Sequence, residues 1–183
     1  MTTNERDLND AQPPLALGID IGGTNTKVGL VDVAGHVYGF ERIPTDVGTE
    51  PPDPFLARLT DCVGRVLERA PLDVAGIGLS VHGWTDDSRR GPILCVNTAS
   101  LHGVDMKGLL SDAFGLPVIV NNDLTAHVLA EYAYGVGQGA HRFLCLALGT
   151  GLGAGVVVDG QPLRYVGGCA GDTGHVILEP GGP

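Results

Sequence analysis

Three apolar runs open the ordered part of the chain with too little sequence between them for a helix: Leu15–Ile21, Lys27–Val33 and Val37–Ile43. A parallel crossover needs a dozen or more residues, so runs this close pair as an antiparallel meander. Ala34-Gly35 supplies the turn between the second and third. After the Pro-rich stretch "PTDVGTEPPDP" the period changes. Phe55, Leu59, Val63 and Val66 fall at helical spacing, predicting a helix over Phe55–Ala70 with Asp53 as N-cap and Pro54 in the first helical position. Val74–Val81 reads as a buried strand, and "HGWTDDSRRG" as a polar loop. Met106–Phe114 is a helix ended by Gly115, Pro117–Val120 a strand, and Leu124–Tyr134 a helix ended by Gly135. Strands then resume at Phe143–Leu148, Ala154–Val158 and His175–Leu178, with Asp159-Gly160 a hairpin signal. The order is an α/β pattern, β-β-β-α-β-α-β-α, followed by β-β again. It predicts a polar, disordered tail over 1–14, a first domain over 15–136, and the opening strands of a similar second domain over 137–183.

Charge narrows the partners. Among 183 residues, 21 acidic against 11 basic side chains give a formal net charge of -10, which repels nucleic acid and anionic membranes. A bound phosphate must therefore be held locally, by backbone N–H groups and a metal ion. The leading "MTTNERDLNDAQPP" has no apolar core of a signal peptide, and glycines and charges interrupt every later apolar run. The expectation is a soluble, cytoplasmic protein. Cys62, Cys95, Cys145 and Cys169 are widely spaced without a CxxC, the pattern of reduced thiols rather than a disulfide framework.

Three segments are able to carry chemistry. In "LGIDIGGTNTKVGLVD" a strand ends in Asp20, then Gly22, Gly23 and Thr24 lead into another strand. A Walker loop needs Gly before its Lys and Ser or Thr after it, whereas Thr26 and Val28 flank Lys27. The dinucleotide fingerprint must open a helix, and this turn does not. What remains is a hairpin turn whose bare backbone and Thr24 hydroxyl suit an anion, with Asp20 placed to hold magnesium. An ordinary hairpin with a solvated Asp fits the same residues. In "LALGTGLGAGVVVDG" glycines recur at 149, 151, 153 and 155, again Gly/Thr-rich between strands. A second phosphate turn and close packing against a helix are equally compatible with that period. In "VIVNNDLTAHVLAEYAYG" a strand ends at Asn121-Asn122-Asp123 where a helix starts. The helix dipole favours an ionised Asp123, the state required to accept a hydroxyl proton during phosphoryl transfer. A plain helix cap would use the same residues.

The remaining candidates are weaker. His175, with Asp172 nearby, is able to meet a sugar hydroxyl or a metal, and His127 and Glu131 share a helix face as a solvated pair. His36, His82, His102 and His141 carry no functional signal in the sequence, and Trp84 lies in a polar loop.

Taken in order, "GIDIGGTNTKVGLVD", "VNNDLTAHVLAEYAYG", "LGTGLGAGVVVDG" and "AGDTGHVILEPGGP" resemble the ROK family of sugar kinases over nearly all of 15–183. The resemblance implies the actin-like ATPase (ribonuclease H-like) fold shared with hexokinase and the Hsp70 chaperones. It implies ATP-dependent phosphorylation of a hexose, with Asp123 as general base and Asn97, Asn122, Asp123, Asp172 and His175 binding the sugar. Gly22, Gly23, Thr24, Gly149, Thr150 and Gly151 would face the phosphates of ATP, and Asp20 would organise Mg2+. His175 would also be a ligand of a structural Zn2+, and a homodimer is expected.

Two departures from the family pattern matter. Asp172 stands where the family usually has a Glu, one methylene longer, that bonds sugar hydroxyls. The chain also stops at "GGP", where many members continue into a cysteine-rich zinc loop. A complete second domain would need roughly another 100 residues, so the expectation is an N-terminal portion whose last strands leave an apolar face open. Two other readings remain: a sugar-responsive ROK regulator, disfavoured by the acidic charge and short polar lead, and an inactive sugar-binding module.

Overall fold

The computed structural model describes residues 7–47, 51–95, 98–149, 151–164, 174 and 177–182. The chain divides into two compact units between Asp123 and Leu124, earlier than the boundary expected at 136.

Unit 1 is built on a five-stranded sheet. Its strands are β1 (Leu15–Ile21), β2 (Asn25–Val31), β3 (Val37–Pro44), β4 (Val74–Val81) and, last in the chain, Val118–Asn122. A two-stranded ribbon, β5 (Trp84–Thr85) within the segment read as a polar loop and β6 (Pro92–Leu94) just after it, precedes the last strand of the large sheet, which is β7. The order is β3-β2-β1-β4-β7, and β2 alone runs against the others. Leu17, Ile19 and Ile21 on β1, Ile77, Leu79 and Val81 on β4, and Val118 and Val120 on β7 share the core face through their register.

Helix α1 (Asp53–Glu68) lays Phe55, Leu59, Cys62, Val63 and Val66 into this core, joined by Met106 and Leu110 of α2 (Met106–Phe114). Asp53 is the first helical residue rather than the cap; Pro52 takes the cap position without a side-chain hydrogen bond. Two prolines with φ fixed near the helical value start the helix one residue early. Glu41 of β3 ties α1 to the sheet through Arg65 (2.8 Å) and Arg69 (2.6 Å). The Arg65 hydrogen bond holds the Glu41 carboxyl below the usual range. Burial, with the Glu41 contact adding to it, pushes the Cys62 thiol up to about 11. Helix α2 behaves as its sequence predicts: Asp105 accepts from the Gly108 N–H at its start, and Gly115 closes it at φ 66°.

Boundaries shift where the ladder outweighs local preference. β2 begins at Asn25 rather than Lys27, because Asn25 pairs with Pro44 and Thr26 with Ile21 and Ile43. It ends at Val31 because the buried Asp32 carboxylate accepts from the N–H groups of Ala34 (3.0 Å) and His36 (2.8 Å), turning the chain toward β3. β7 continues through Asn121 and Asn122, held by Ser80 and Val81. From Asp7 onward the lead segment is also structured: Leu8–Asp10 forms a 3-10 turn, and Leu8 and Ala11 pack on the core.

Unit 2 contains the three-stranded sheet β8 (Arg142–Leu148), β9 (Leu152–Val158) and β10 (Gln161–Pro162), in the order β10-β9-β8. Asp159 and Gly160 both have positive φ, 47° and 79°, the conformation of a tight hairpin of the primed type. Helix α3 (Asp123–Tyr134) passes nearly all its length in this unit. Its Leu124 and Val128 lie over Gly153 and Gly155 of β9. The opposite face carries Leu144, Leu146 and Leu148, all exposed, in keeping with an open apolar face. The strand expected at His175–Leu178 is not formed by Ile177 or Leu178; the chain turns instead at Pro180 and Gly181 (φ 81°), with Gly182 N–H donating to Glu179 O.

Candidate active site

In an open α/β sheet the carboxyl ends of parallel strands gather at one edge, and ligands bind there because loops and helix N-termini converge. β1, β4 and β7 end at that edge in register, Asp20 beside Ser80 and Ser80 beside Asn121. Period-two alternation turns these three away from the face that holds Ile19, Leu79 and Val120. The Ser80 hydroxyl donates to Asp20 Oδ1 at 3.2 Å, and Lys27 Nζ reaches Oδ2 at 3.0 Å. Both partners of the ion pair are about half exposed, at 46% and 45%, so it is worth at most about 1 kcal/mol. Its meaning is positional: the antiparallel register places Lys27 directly opposite Asp20. In the sequence Lys27 is a Walker lysine in the wrong place; the hairpin register across the glycine turn is the signal that gives it a place beside Asp20.

The fit of this edge to a magnesium ion follows from its donors. Mg2+ takes hard oxygen ligands, commonly one or two carboxylates with water and phosphate completing the shell. Asp20 supplies one accessible carboxylate, and Lys27 supplies a cation that a phosphate would meet.

The turn between β1 and β2 is more constrained than its glycines suggest. Gly22 N–H donates to Asn25 O at 3.1 Å and so helps to close the hairpin. Gly23 and Thr24 stand exposed at the tip. The turn is braced from below by Thr45, fully buried beyond the end of β3. Its hydroxyl donates to Gly22 O at 2.8 Å and lies 2.9 Å from the Thr26 hydroxyl, while its N–H donates to Thr24 O. Thr45 carries no motif and is invisible without the β2–β3 register.

Asn122 and Asp123 stand where β7 becomes α3. Asn122 closes the core-facing row of β7 and is 5% exposed, whereas the Asp123 side chain is 40% exposed. Asp123 occupies the first turn of α3, where the helix dipole favours negative charge. Asn122 Nδ2 lies 3.5 Å from its Oδ1, at the long limit of a hydrogen bond. On its other side His82 Nδ1 is 3.3 Å from Oδ2. Val81 pairs with Asn122 in the parallel ladder, so the next residue of each chain leaves the sheet beside the other. His82 had no signal in the sequence, because only the register of β4 against β7 joins residues so distant in the chain.

In unit 2 the four periodic glycines separate into two pairs. A Cβ on Gly153 would overlap the Leu124 side chain, and one on Gly155 would sit 2.5 Å from Val128 Cβ. These two glycines admit a helix. Gly149 and Gly151 lie in the β8–β9 turn with open space around them, and Gly149 N–H donates to Gly151 O at 2.9 Å. The second turn thus shares with the first a backbone bond that closes it on itself.

Asn97, Thr150, Asp172, His175 and Cys169 lie outside the described residues. Among the described residues no group of three His, Cys, Asp or Glu side chains is placed to hold a metal ion, and Cys62, Cys95 and Cys145 are free thiols. No helix among them is long and apolar enough to cross a membrane.

A sheet of this order, with one antiparallel strand, a glycine hairpin after the first strand and a carboxylate directly after the last, is that of the actin-like ATPase fold, to which the matching ROK structures belong. Comparison with known proteins narrows the class. The ROK family profile matches residues 16–183, and the chain belongs to that family. It is 33% identical over 172 residues to the glucokinase of Halalkalibacterium halodurans, covering 91% of this chain and 51% of that protein. The crystal structure of a ROK family glucokinase from Streptomyces griseus, in complex with glucose and AMPPNP, superposes with a TM-score of 0.79 at 30% identity, covering 91% of this chain and 52% of that one. A xylose repressor of Caldicellulosiruptor bescii is 28% identical, covering 88% of this chain and 41% of the repressor. The chain thus spans about half the length of the relatives it matches.

Proposed function

We propose that the complete gene product carrying this sequence transfers the γ-phosphoryl group of ATP to a hydroxyl of a hexose, with Asp123 as general base. The observation that carries this reading is the half-exposed Asp123 carboxylate at the head of α3, at the ligand-binding edge of an actin-like sheet. The sugar oxygen attacks the γ-phosphorus as the bond to the β–γ bridging oxygen breaks, ADP leaves, and the hydroxyl proton passes to Asp123. Most of the rate in such a reaction comes from positioning and charge stabilisation rather than covalent chemistry. Asn122 is assigned to the sugar beside Asp123. Gly22, Gly23 and Thr24 are assigned to the transferred phosphate, and Lys27 lies on the same hairpin as a counter-charge. Mg2+, when bound at Asp20, supplies neutralisation of the phosphate oxygens. Asn97, Asp172 and His175 are assigned to the sugar, and Gly149, Thr150 and Gly151 to a phosphate, on the sequence pattern of the family; His175 also suits zinc. A cytoplasmic homodimer acting on ATP and a small sugar goes with this reading.

The test is a coupled assay of ADP release over a hexose panel, wild type against Asp123→Ala. The expected result is sugar-dependent turnover reduced about 10²- to 10⁴-fold in the variant. Turnover unaffected by Asp123→Ala removes the general base. Tight sugar binding with no ADP release from the wild type favours the regulator reading that the xylose repressor likeness raises.

A further inference from the structure

We propose that His82 is a positioning residue for Asp123, donating from Nδ1 to Oδ2 and fixing the direction of that carboxylate. The inference rests on the reading of Asp123 as the base and adds a residue that carries no functional signal in the chain.

Three observations carry it. The parallel ladder pairs Val81 with Asn122, so His82 and Asp123 emerge side by side, and their side chains meet at 3.3 Å. Both are part exposed, 36% and 40%, so the contact is not forced by a packed core. The backbone beyond His82 is also held. Gly83 has φ 102°, a region that L side chains rarely adopt, and a Cβ there would overlap Leu94 O and lie 2.9 Å from Cys95 Cα. The adjoining Trp84–Thr85 strand pairs with β6. His82 is thus carried on a short segment clamped between β4 and the β5–β6 ribbon.

The chemistry of the pair follows from its donors. An ionised carboxylate only accepts hydrogen bonds, so the imidazole nitrogen facing it carries the proton. A neutral His82 is then the Nδ1–H tautomer, with Nε2 as its acceptor. An Asp in the first turn of a helix has more than one staggered χ1 rotamer open to it, and a hydrogen bond to one carboxylate oxygen selects among them. A base misplaced by about 1 Å loses on the order of 10²-fold in rate. Asn122 reaches the other carboxylate oxygen only at 3.5 Å, which leaves His82 as the closer of these two contacts.

The test uses the complete gene product and two separate readouts. In steady-state kinetics His82→Ala should lower kcat about 10- to 100-fold. The sugar KM should stay within about threefold, because the substrate contacts themselves remain. His82→Asn places an amide N–H near the Nδ1 position and should recover most of the loss, with thermal midpoints of both variants close to wild type. A raised KM at unchanged kcat, or an Asn variant no better than Ala, overturns the positioning role. The second readout is the imidazole itself: 15N spectra of the wild type should show the neutral ring protonated on Nδ1, and Asp123→Ala should return it to Nε2–H. A wild-type ring protonated on Nε2 overturns the proposal whatever the kinetics show. Unchanged turnover in Asp123→Ala removes the base assignment instead, and the tautomer still decides whether His82 holds that carboxylate.

Discussion

Replacing Gly155 by Ala separates packing from ligand binding in the glycine run of β9. A Cβ at Gly155 would lie 2.5 Å from Val128 Cβ, 2.7 Å from Val128 Cγ1 and 2.8 Å from Leu124 O. Ordinary carbon contacts begin at about 3.5 Å, so α3 must withdraw by roughly 1 Å. One obstacle is main chain and the other the stiff base of a β-branched residue, and neither moves by a rotamer change. Overpacking of this kind costs about 1–3 kcal/mol, against a gain of about 0.4–1 kcal/mol from the reduced freedom of the unfolded chain. The net expectation is a destabilisation of about 1–2 kcal/mol. Gly151→Ala is the control: a Cβ there meets nothing within 4 Å, so its stability should be unchanged or slightly higher. The single tryptophan, Trp84, belongs to unit 1, so fluorescence does not report on β9. Native-state hydrogen exchange of the β9 amides as urea rises is the assay, with about tenfold faster exchange in Gly155→Ala for each 1.4 kcal/mol lost. Equal protection in the two variants, or a greater loss in Gly151→Ala, refutes the division of these glycines into a helix-packing pair and an open pair.

Two further stability measurements test unit 1. Burial pushes the Asp32 carboxyl up, but the N–H of His36, the Tyr38 hydroxyl and the N–H groups of Gln12 and Ala34 together hold it at about 2, below the 3.8 of a free side chain. Its stabilisation is therefore complete above pH 4 and lost as the pH falls through about 2; Asp32→Asn should lower the urea midpoint at pH 7 and flatten its pH dependence between about 4 and 2. An undiminished slope in the variant would assign acid sensitivity to other carboxylates. Thr45→Val keeps the shape and removes the hydroxyl that binds Gly22 O and the Thr26 hydroxyl. It should cost about 1–3 kcal/mol by urea denaturation and weaken ATP more than sugar in initial-rate kinetics; an unchanged KM for ATP would detach the turn from the nucleotide.

The order of the large-sheet strands and of the three α-helices, the meander, the αL close of α2 at Gly115 and the Asp159-Gly160 hairpin were legible in the chain, because each depends on residues within a few positions of one another. The local settings of Asp20 and Asp123 were legible for the same reason: one is next to last in an apolar strand before a turn, and the other opens a helix directly after a strand. Boundaries at Asn25, Asp53 and Asn122 were misjudged by one or two residues, where cross-strand pairing or a second proline overrode local preference. What the chain did not disclose is all cross-strand. Lys27 faces Asp20, Ser80 donates to it, Thr45 braces the Gly22 turn, and His82 meets Asp123 across a gap of forty-one residues. A strand's sequence specifies which side chains alternate, but its register against neighbours is settled only when the whole sheet closes over its core. The same holds for the period-two glycines: their spacing allowed a phosphate turn or a helix contact, and the seating of Leu124 and Val128 shows that Gly153 and Gly155 serve the helix.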